Sequence, residues 1–578
     1  MKLSFKGLVS IFEPLLFSFR FTGNRKRLLY IIFVAALVAS VTRLLVPVYI
    51  GQSITALEQG KSSLVGFFLV LIITVSVITA VSQFFINYLS QKLAQWYAFN
   101  LRTVLLDRLL RKKGTFMDSR TSGDLLSRST MDIEASRNFI LNTASQLIST
   151  ILLIVIALYL LISINPIFAL FFLAAVPLLV RIGMVFQRKQ RTHWRKIRMH
   201  YGTMNERLQE NIVGQRVVRG YNGMQSEFSR FSGTTSDYYD EYMEVAQLRG
   251  FYNNLMPFIV GAAATAVILY GGYIDLLTGS TVGGLVAAVN IFIMVSMPVS
   301  FLGRIIVFSE NARAGIDRIK EVIDSGDEET YDNNGIVPQN YDLVFRDVSF
   351  YRGTREVLRS INLRIGFGEK IAITGRLGSG KSTLVSLISR IYDPSSGVIT
   401  IGGVSITDVP LVTLRKIVAL VPQGSNILSG TIFENIAFGR DVSLDEVQKA
   451  CKTAQIADFI ESLEQKYNTL VGERGITLSG GQKQRLLVAR ALVGKPKILI
   501  LDDATSSVDP ETELAMLNSI STSLNGVTLI IVSHRPSVLR FSERKVRLEN
   551  GKITEEEQLP RNYVDADNNT KSVATGDE

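Results

Sequence analysis

Gly375-Arg376-Leu377-Gly378-Ser379-Gly380-Lys381-Ser382 follows an apolar run over residues 370–374 and precedes an apolar-periodic stretch reaching Ile391. The octapeptide fits G-x-x-x-x-G-K-[ST] in the strand–loop–helix setting that the pattern needs. Its glycines let backbone N–H groups close round an anion. The N-terminus of the following helix then faces the same charge. Lys381 is expected to neutralise the outer phosphates of a nucleoside triphosphate, and Ser382 to ligate its Mg2+. Gly375, Gly378, Ser379, Gly380 and Thr383 complete the expected cradle. Arg376 also lies in the loop, where it either reaches an outer phosphate or stands in solvent; solvation is the favoured reading.

Toward the C-terminus, a second apolar run over 497–501 ends in Asp502. A carboxylate at the C-terminal edge of a buried strand is placed to hold Mg2+, directly or through water. Between the two lies Leu478-Ser479-Gly480-Gly481-Gln482. A hydroxyl and two glycines ahead of a helix make a second anion-friendly segment, although Ser-Gly-Gly alone reads as a turn.

Toward the N-terminus the composition changes. Hydrophobic residues make up 47% of the 578 residues, mean hydropathy is +0.25, and the apolar excess concentrates between Leu28 and Phe308. A bilayer crossing needs about 20 apolar residues in a helix. Stretches of that kind fall at 28–51, 64–88, 138–162, 166–187, 255–277 and 284–308. The gaps at 89–137 and 188–254 are long and basic, and the other three are short with little charge. Positive loops stay on the cytoplasmic side, so the expected protein is multi-pass in the cell membrane, with both termini and the C-terminal domain cytoplasmic. The net charge of +11 sits in those gaps rather than on one face or tail, which argues against nucleic acid. The single cysteine, Cys451, excludes an internal disulfide. Expected domains are an amphipathic cytoplasmic elbow helix at 1–27, a membrane domain at 28–324, a linker at 325–339, a nucleotide-binding domain at 340–559 and a disordered polar tail at 560–578.

Taken together, these motifs resemble the ATP-binding cassette (ABC) family, in which Leu478-Ser479-Gly480-Gly481-Gln482 matches the signature pentapeptide. The resemblance adds Gln423 as the Q-loop glutamine and a further Mg2+ contact, Val471-Gly472-Glu473-Arg474-Gly475 as the exporter X-loop, Ser506-Ser507-Val508-Asp509 as the D-loop, His534 as the switch histidine, and Tyr351 as the adenine-stacking aromatic. The segment round Tyr351 is one residue tighter than the family pattern. Thr121-Ser122-Gly123-Asp124-Leu125 and Glu210-Asn211-Ile212-Val213-Gly214 resemble the first and second intracellular loops of half-size exporters. The implied fold is an all-α six-helix transmembrane domain with long cytoplasmic helical extensions, plus an α/β P-loop ATPase domain with a helical subdomain. The implied cofactors are ATP and Mg2+.

One position departs from the family. The residue after Asp502 is normally Glu, which positions the attacking water; here it is Asp503. Its carboxylate is withdrawn by about 1.5 Å, one carbon–carbon bond. The resemblance is therefore to the degenerate-site subunit of heterodimeric multidrug-type exporters. The expected partner is a second half-transporter carrying the Glu, and the expected cargo a small hydrophobic or amphipathic compound. A homodimer with slow hydrolysis, an importer on the exporter fold, and an ATP-regulated non-transporting membrane protein remain open alternatives. Arg43 and Asn290, and Phe84, Phe85, Phe251, Phe258 and Phe292, either line a cargo path or face lipid and neighbouring helices.

Overall fold

The computed structural model describes residues 5–559 apart from 279–281, 327, 330, 332–334, 425, 473, 474, 476 and 525. The tail at 560–578, part of the linker, and Glu473 and Arg474 of the X-loop lie outside the described residues. Contacts divide the chain into two units. One runs to Gly326, except for Arg111–Arg120, which groups with the C-terminal unit although the sequence places it in the membrane half.

The first unit is helical. In chain order the helices are α1 (Phe5–Phe21), α2 (Lys26–Glu58) and α3 (Ser62–Leu110), then α4 (Gly114–Asp118, in the other unit), α5 (Ser122–Ser127), α6 (Ile133–Asn142) and α7 (Ile148–Ile164). There follow α8 (Pro166–Val213), α9 (Gln215–Gly220), α10 (Met224–Thr278) and α11 (Val282–Ile323). Two π-helical turns, Arg128–Asp132 and Thr143–Leu147, join α5, α6 and α7 into one continuous run. Among the described residues six helices are long and apolar enough to cross a membrane. The 49 residues of α3 make a rod of roughly 70 Å, more than twice the roughly 30 Å hydrocarbon layer. Long helical extensions follow directly, as the sequence led us to expect.

Local chemistry sets the helix ends. Asn165 caps α8 by accepting from the Ile167 amide at 2.9 Å, and Pro166 occupies the first helical position, where its missing N–H costs nothing. Phe172 and Phe292 meet edge to face in the core at 5.5 Å. Phe84, Phe85, Phe251 and Phe258 are all exposed. Asn290 bonds back to the Val286 carbonyl of its own helix at 2.9 Å. Between α2 and α11 the backbones touch: a Cβ on Gly51 would lie 2.2 Å from the Gly283 carbonyl oxygen. Small residues at a membrane helix crossing allow such an approach.

A charged lock ties the α5–α6 run to α11. Asp132 is buried and accepts from Arg318 Nε at 2.7 Å and again from its terminal nitrogen. The Arg128 guanidinium donates to Asp124 at 2.9 Å, Glu321 at 2.8 Å and the Arg318 carbonyl at 2.7 Å. Removing one partner of a fully buried pair costs roughly 3–5 kcal/mol. The Arg318 side chain keeps 47% exposure, so Asp132→Ala is expected to destabilise this unit by about 2 kcal/mol. Urea unfolding in detergent, followed through the tryptophans, checks it; an unchanged midpoint would show that the lock contributes nothing.

In the second unit the strands are β1 (Leu343–Arg352), β2 (Arg355–Ile365), β3 (Lys370–Thr374), β4 (Ser396–Ile401), β5 (Val404–Ser405), β6 (Val418–Val421), β7 (Gly430–Thr431), β8 (Leu470–Val471), β9 (Ile498–Asp502), β10 (Thr528–Val532), β11 (Arg544–Glu549) and β12 (Lys552–Gln558). A sheet ordered β12-β11-β3-β10-β9-β6 stands beside another ordered β2-β1-β4-β5. Strands β9 and β10, apolar except for Asp502 and Thr528, are buried at every position, as strands in the middle of a parallel sheet are. Their residues alternate between two cores. Ile498, Ile500, Ile530 and Val532 pack toward the antiparallel sheet, and Leu499, Leu501, Leu529 and Ile531 toward the helical layer that holds Cys451. Burial pushes the Cys451 thiol up to about 12, the behaviour of a small packed hydrophobe.

Helix α4 docks on this unit. The Gly114 amide donates to the Ile391 carbonyl at 3.3 Å, and any Cβ there would come within 2.8 Å of the same oxygen. Lys113 pairs with Asp393 at 2.8 Å. Asp118 accepts from the Tyr392 hydroxyl at 2.8 Å and from Arg352 at 2.6 Å. The first loop therefore turns at α4, ahead of the Asp124 region to which the sequence pointed.

Candidate nucleotide site

Strands β6, β9, β10 and β3 run parallel and in register, with Val421 beside Leu501, Asp502 beside Val532 and Val532 beside Ile373. Their C-terminal ends therefore share one edge, where open α/β sheets bind ligands. Past β3 comes the phosphate loop, past β9 Asp503, past β10 His534, and past β6 Gln423.

The loop needs its glycines. Gly375 has φ 144°, and a Cβ on it would lie 2.0 Å from the Leu548 carbonyl oxygen. Gly380 has φ 105° as it starts the next helix, α12 (Lys381–Ile388), and a Cβ on it would lie 2.9 Å from Leu358. Lys381 Nζ donates to the Gly375 carbonyl at 2.6 Å and the Arg376 carbonyl at 3.0 Å, spanning the loop mouth. Burial lowers its pKa, while Asp502 and Asp503 pull the other way. Ser379 Oγ is buried and has no hydrogen-bond partner among the described residues. An orphaned hydroxyl in a ring of amides is what a phosphate oxygen would satisfy. By this test the residues fit a nucleoside triphosphate.

Ser382 Oγ donates to Asp502 Oδ1 at 3.1 Å. Burial is the main force raising the Asp502 pKa; Asp503 adds to it, and Ser382 and Lys381 oppose it. The Gln423 amide donates to Asp503 Oδ2 at 3.1 Å. Asp503 itself adopts left-handed backbone, φ 49°, with its amide bonded to the Val532 carbonyl at 3.0 Å. Aspartate tolerates that conformation better than most residues. Among the described residues no cluster of three or more His, Cys, Asp or Glu side chains is arranged for a metal. Mg2+ bound to phosphates needs only one or two protein ligands.

The structure thus brings Lys381, Ser382, Asp502, Asp503 and Gln423 together. Thr383 is half-buried one residue along α12, and Gly378 (φ 78°) forms the exposed turn of the loop. Arg376 and His534 are both exposed. Tyr351 is 46% exposed on β1, with its hydroxyl on Glu356 at 3.2 Å and no contact to the phosphate loop among those observed. Ser479 caps the helix Gly480–Leu492 through a reciprocal box: the Gln482 amide donates to Ser479 Oγ at 3.3 Å, and the Ser479 amide to Gln482 Oε1 at 2.8 Å. In this arrangement Gln482 serves the helix end. Gly480 and Gly481 lie against Ser507, which a Cβ on either would approach within 3.1 and 2.8 Å.

Sequence reasoning missed Gln484, Glu513 and Arg535, all bonded to residues flanking this site. Gln484 left a trace. It shares the helical spacing of Leu487, Val488 and Ala491, all buried, so a polar residue there signalled a partner.

Comparison with known proteins agrees with this geometry. The family model for the ABC transporter transmembrane region matches residues 29–299, and that for ABC transporter matches 358–506. The chain is 33% identical over 488 residues to the "Uncharacterized ABC transporter ATP-binding protein YknU" of Bacillus subtilis, spanning 84% of this chain and 83% of that one. It is 32% identical over 471 residues to the "Probable multidrug resistance ABC transporter ATP-binding/permease protein YheI" of the same organism, spanning 79% of each. The solved structure of a bacterial Atm1-family ABC exporter with ATP bound matches 96% of this chain and 99% of its own, with TM-score 0.77 and 25% identity. A six-helix membrane domain, a cassette built to hold ATP and relatives matched over most of their length have one common description: the chain belongs to the ABC transporter family, as a half-size exporter subunit whose ATPase is coupled to transport.

Proposed function

We propose that this chain exports a hydrophobic or amphipathic compound by alternating access, as one of two unlike subunits of which the other carries the faster hydrolytic site. The observation that carries the reading is Asp503, an aspartate where the family places glutamate. Its own phosphate loop then holds ATP, and its signature, Ser479 to Gln482, completes the site on the partner. The cassette and both termini face the cytoplasm. A partner chain is also supported by the turn between α8 and α10. There Ile212, Val213, Val217 and Tyr221 expose 63–86% of their surface, an apolar tip that water does not favour. The name of the relative YheI, a probable multidrug resistance transporter, supports a drug-like cargo.

Ser382, Asp502 and Gln423 would hold Mg2+, which draws the phosphates' charge and fixes their orientation. The ionised Asp502 carboxylate is disfavoured in the empty cassette because its pKa is raised. Such a group stabilises the fold below the usual carboxylate range and loses that contribution as pH rises through its raised pKa. Acidification across that window is therefore expected to firm the empty cassette, and Asp502→Asn to stabilise it by ~1 kcal/mol while abolishing the rise in Tm that Mg2+ and ATP together produce. Thermal unfolding with and without Mg-ATP reads both. A variant that melts lower when empty, or still responds to Mg-ATP, would remove Asp502 from the metal site.

Transport tests the whole reading. The native complex, isolated through a tag on this chain, is placed in inside-out vesicles with a fluorescent hydrophobic amine. ATP-dependent accumulation inside is expected. ATP-driven loss from preloaded vesicles would mean import. No movement and no change in ATPase with cargo would favour the ATP-regulated, non-transporting alternative.

A further inference from the structure

We infer that Gln484, Arg535 and Glu513 are positioning residues that clamp segment 506–508 as a strut between the two ATP sites this chain serves. The segment leaves β9 just beyond Asp503 and leads into the helix Pro510–Ser523. On one side stands Gln484, buried in the signature helix. Its amide nitrogen donates to Ser506 Oγ at 2.9 Å, and its oxygen accepts from the Ser507 amide at 2.8 Å. Gly481 brings the helix against Ser507, whose carbonyl oxygen a Cβ there would approach to 2.8 Å, and Gly480 keeps the contact with the Ser507 side chain tight. On the other side stands Arg535, the neighbour of His534. It donates to the Val508 carbonyl at 2.6 Å and to the Ser506 carbonyl.

Glu513 supports that arginine. It is completely buried, accepts from Ser537 Oγ, and lies 3.5 Å from the Arg535 guanidinium, while its second oxygen has no partner among the described residues. A buried carboxylate with an unmet oxygen is costly, and an apolar residue of that size would stabilise the core at least as well. What the carboxylate does instead is fix the direction of Arg535, and through it two backbone carbonyls. The signature helix and the His534 segment are thus joined by polar contacts through three residues. Moving either end moves the other.

The inference rests on the proposed reading that signature and phosphate loop serve different ATPs. It makes Arg535, which neighbours this chain's own His534, govern turnover at the site completed by the signature. The experiment uses the native complex in lipid nanodiscs. Binding of a fluorescent ATP analogue, kcat and KM are measured for Arg535→Ala, Arg535→Lys, Glu513→Gln, Gln484→Leu and the Arg535→Ala, Gln484→Leu double variant. Arg535→Ala is expected to lower kcat about tenfold, the scale of a small misplacement in a catalytic constellation, with KM and analogue affinity within about twofold. Arg535→Lys keeps the charge but lacks the planar fork, so it recovers part of kcat. The double variant falls no further than the worse single one, because both cut the same strut. Unchanged kcat in Arg535→Ala and Glu513→Gln, parallel loss of affinity and kcat in both, or multiplying effects in the double variant would each overturn the strut. Failure of the unlike-pair reading shows separately: Asp503→Glu would then raise the turnover of the complex, while the strut is still judged by the Arg535 and Gln484 variants.

Discussion

Lys381→Ala is expected to weaken ATP binding at this chain's phosphate loop by roughly 10²–10³-fold, the equivalent of losing one partner of a buried charge pair. The lysine spans the loop mouth on the carbonyls of Gly375 and Arg376, so its ammonium is already held where the outer phosphates would arrive. Without it the backbone amides remain, but two or three negative charges lose their counter-ion in a partly desolvated place. Lys381→Arg should recover only part, because a planar fork cannot sit on those two carbonyls as an ammonium does. Calorimetric titration of the native complex with Mg-ATP reads the effect as the loss of one of two binding steps. Affinity within about tenfold of the parent at both steps would mean that the loop does not depend on its lysine.

Asp503 carries the second. The chain alone is expected to hydrolyse ATP about 10²-fold more slowly than the pair, since a misplacement of about 1 Å costs that much. Asp503→Glu should restore most of that loss in the isolated chain. In the pair it should matter far less than removing the partner's glutamate. ATPase assays in lipid on the chain, the pair and both variants decide the matter. Turnover by the chain alone at the rate of the pair would leave a self-sufficient homodimer as the better account. The backbone adds a reason to expect a shift in geometry as well as reach. Asp503 is left-handed and its carboxylate already accepts from Gln423, so a longer side chain must leave that bond or carry Gln423 with it.

What was legible in the sequence followed from local rules. Apolar length marked the membrane helices. The phosphate-loop glycines were legible because the positive φ of Gly375 and Gly380 admits few other residues. Strands β3 and β9 were legible as short apolar runs. What was not legible depends on partners distant in the chain. Helix α4 is five residues long, too short to hold itself, and its place is set by Ile391, Tyr392 and Asp393. Gln482, named by the signature, also closes a capping box with Ser479, a second role that the motif does not announce. The role of Arg535 depends on carbonyls at 506 and 508 and on a carboxylate at 513, which no local pattern links. Tyr351, which the motif names, is exposed and rests its hydroxyl on Glu356, a contact that the motif does not announce.

The meeting of Gly51 and Gly283 has a mechanical consequence. A Cβ on Gly283 would lie 2.1 Å from the Gly51 carbonyl oxygen and 2.2 Å from the Thr55 hydroxyl. Backbone meets backbone there, and the Thr55 hydroxyl and the Ala287 methyl close the remaining space, so α2 and α11 have little to compress. A methyl group placed at this crossing is expected to act as a wedge that changes the angle between the two helices. Alanine at either position turns that angle into something a spin-label distance can measure.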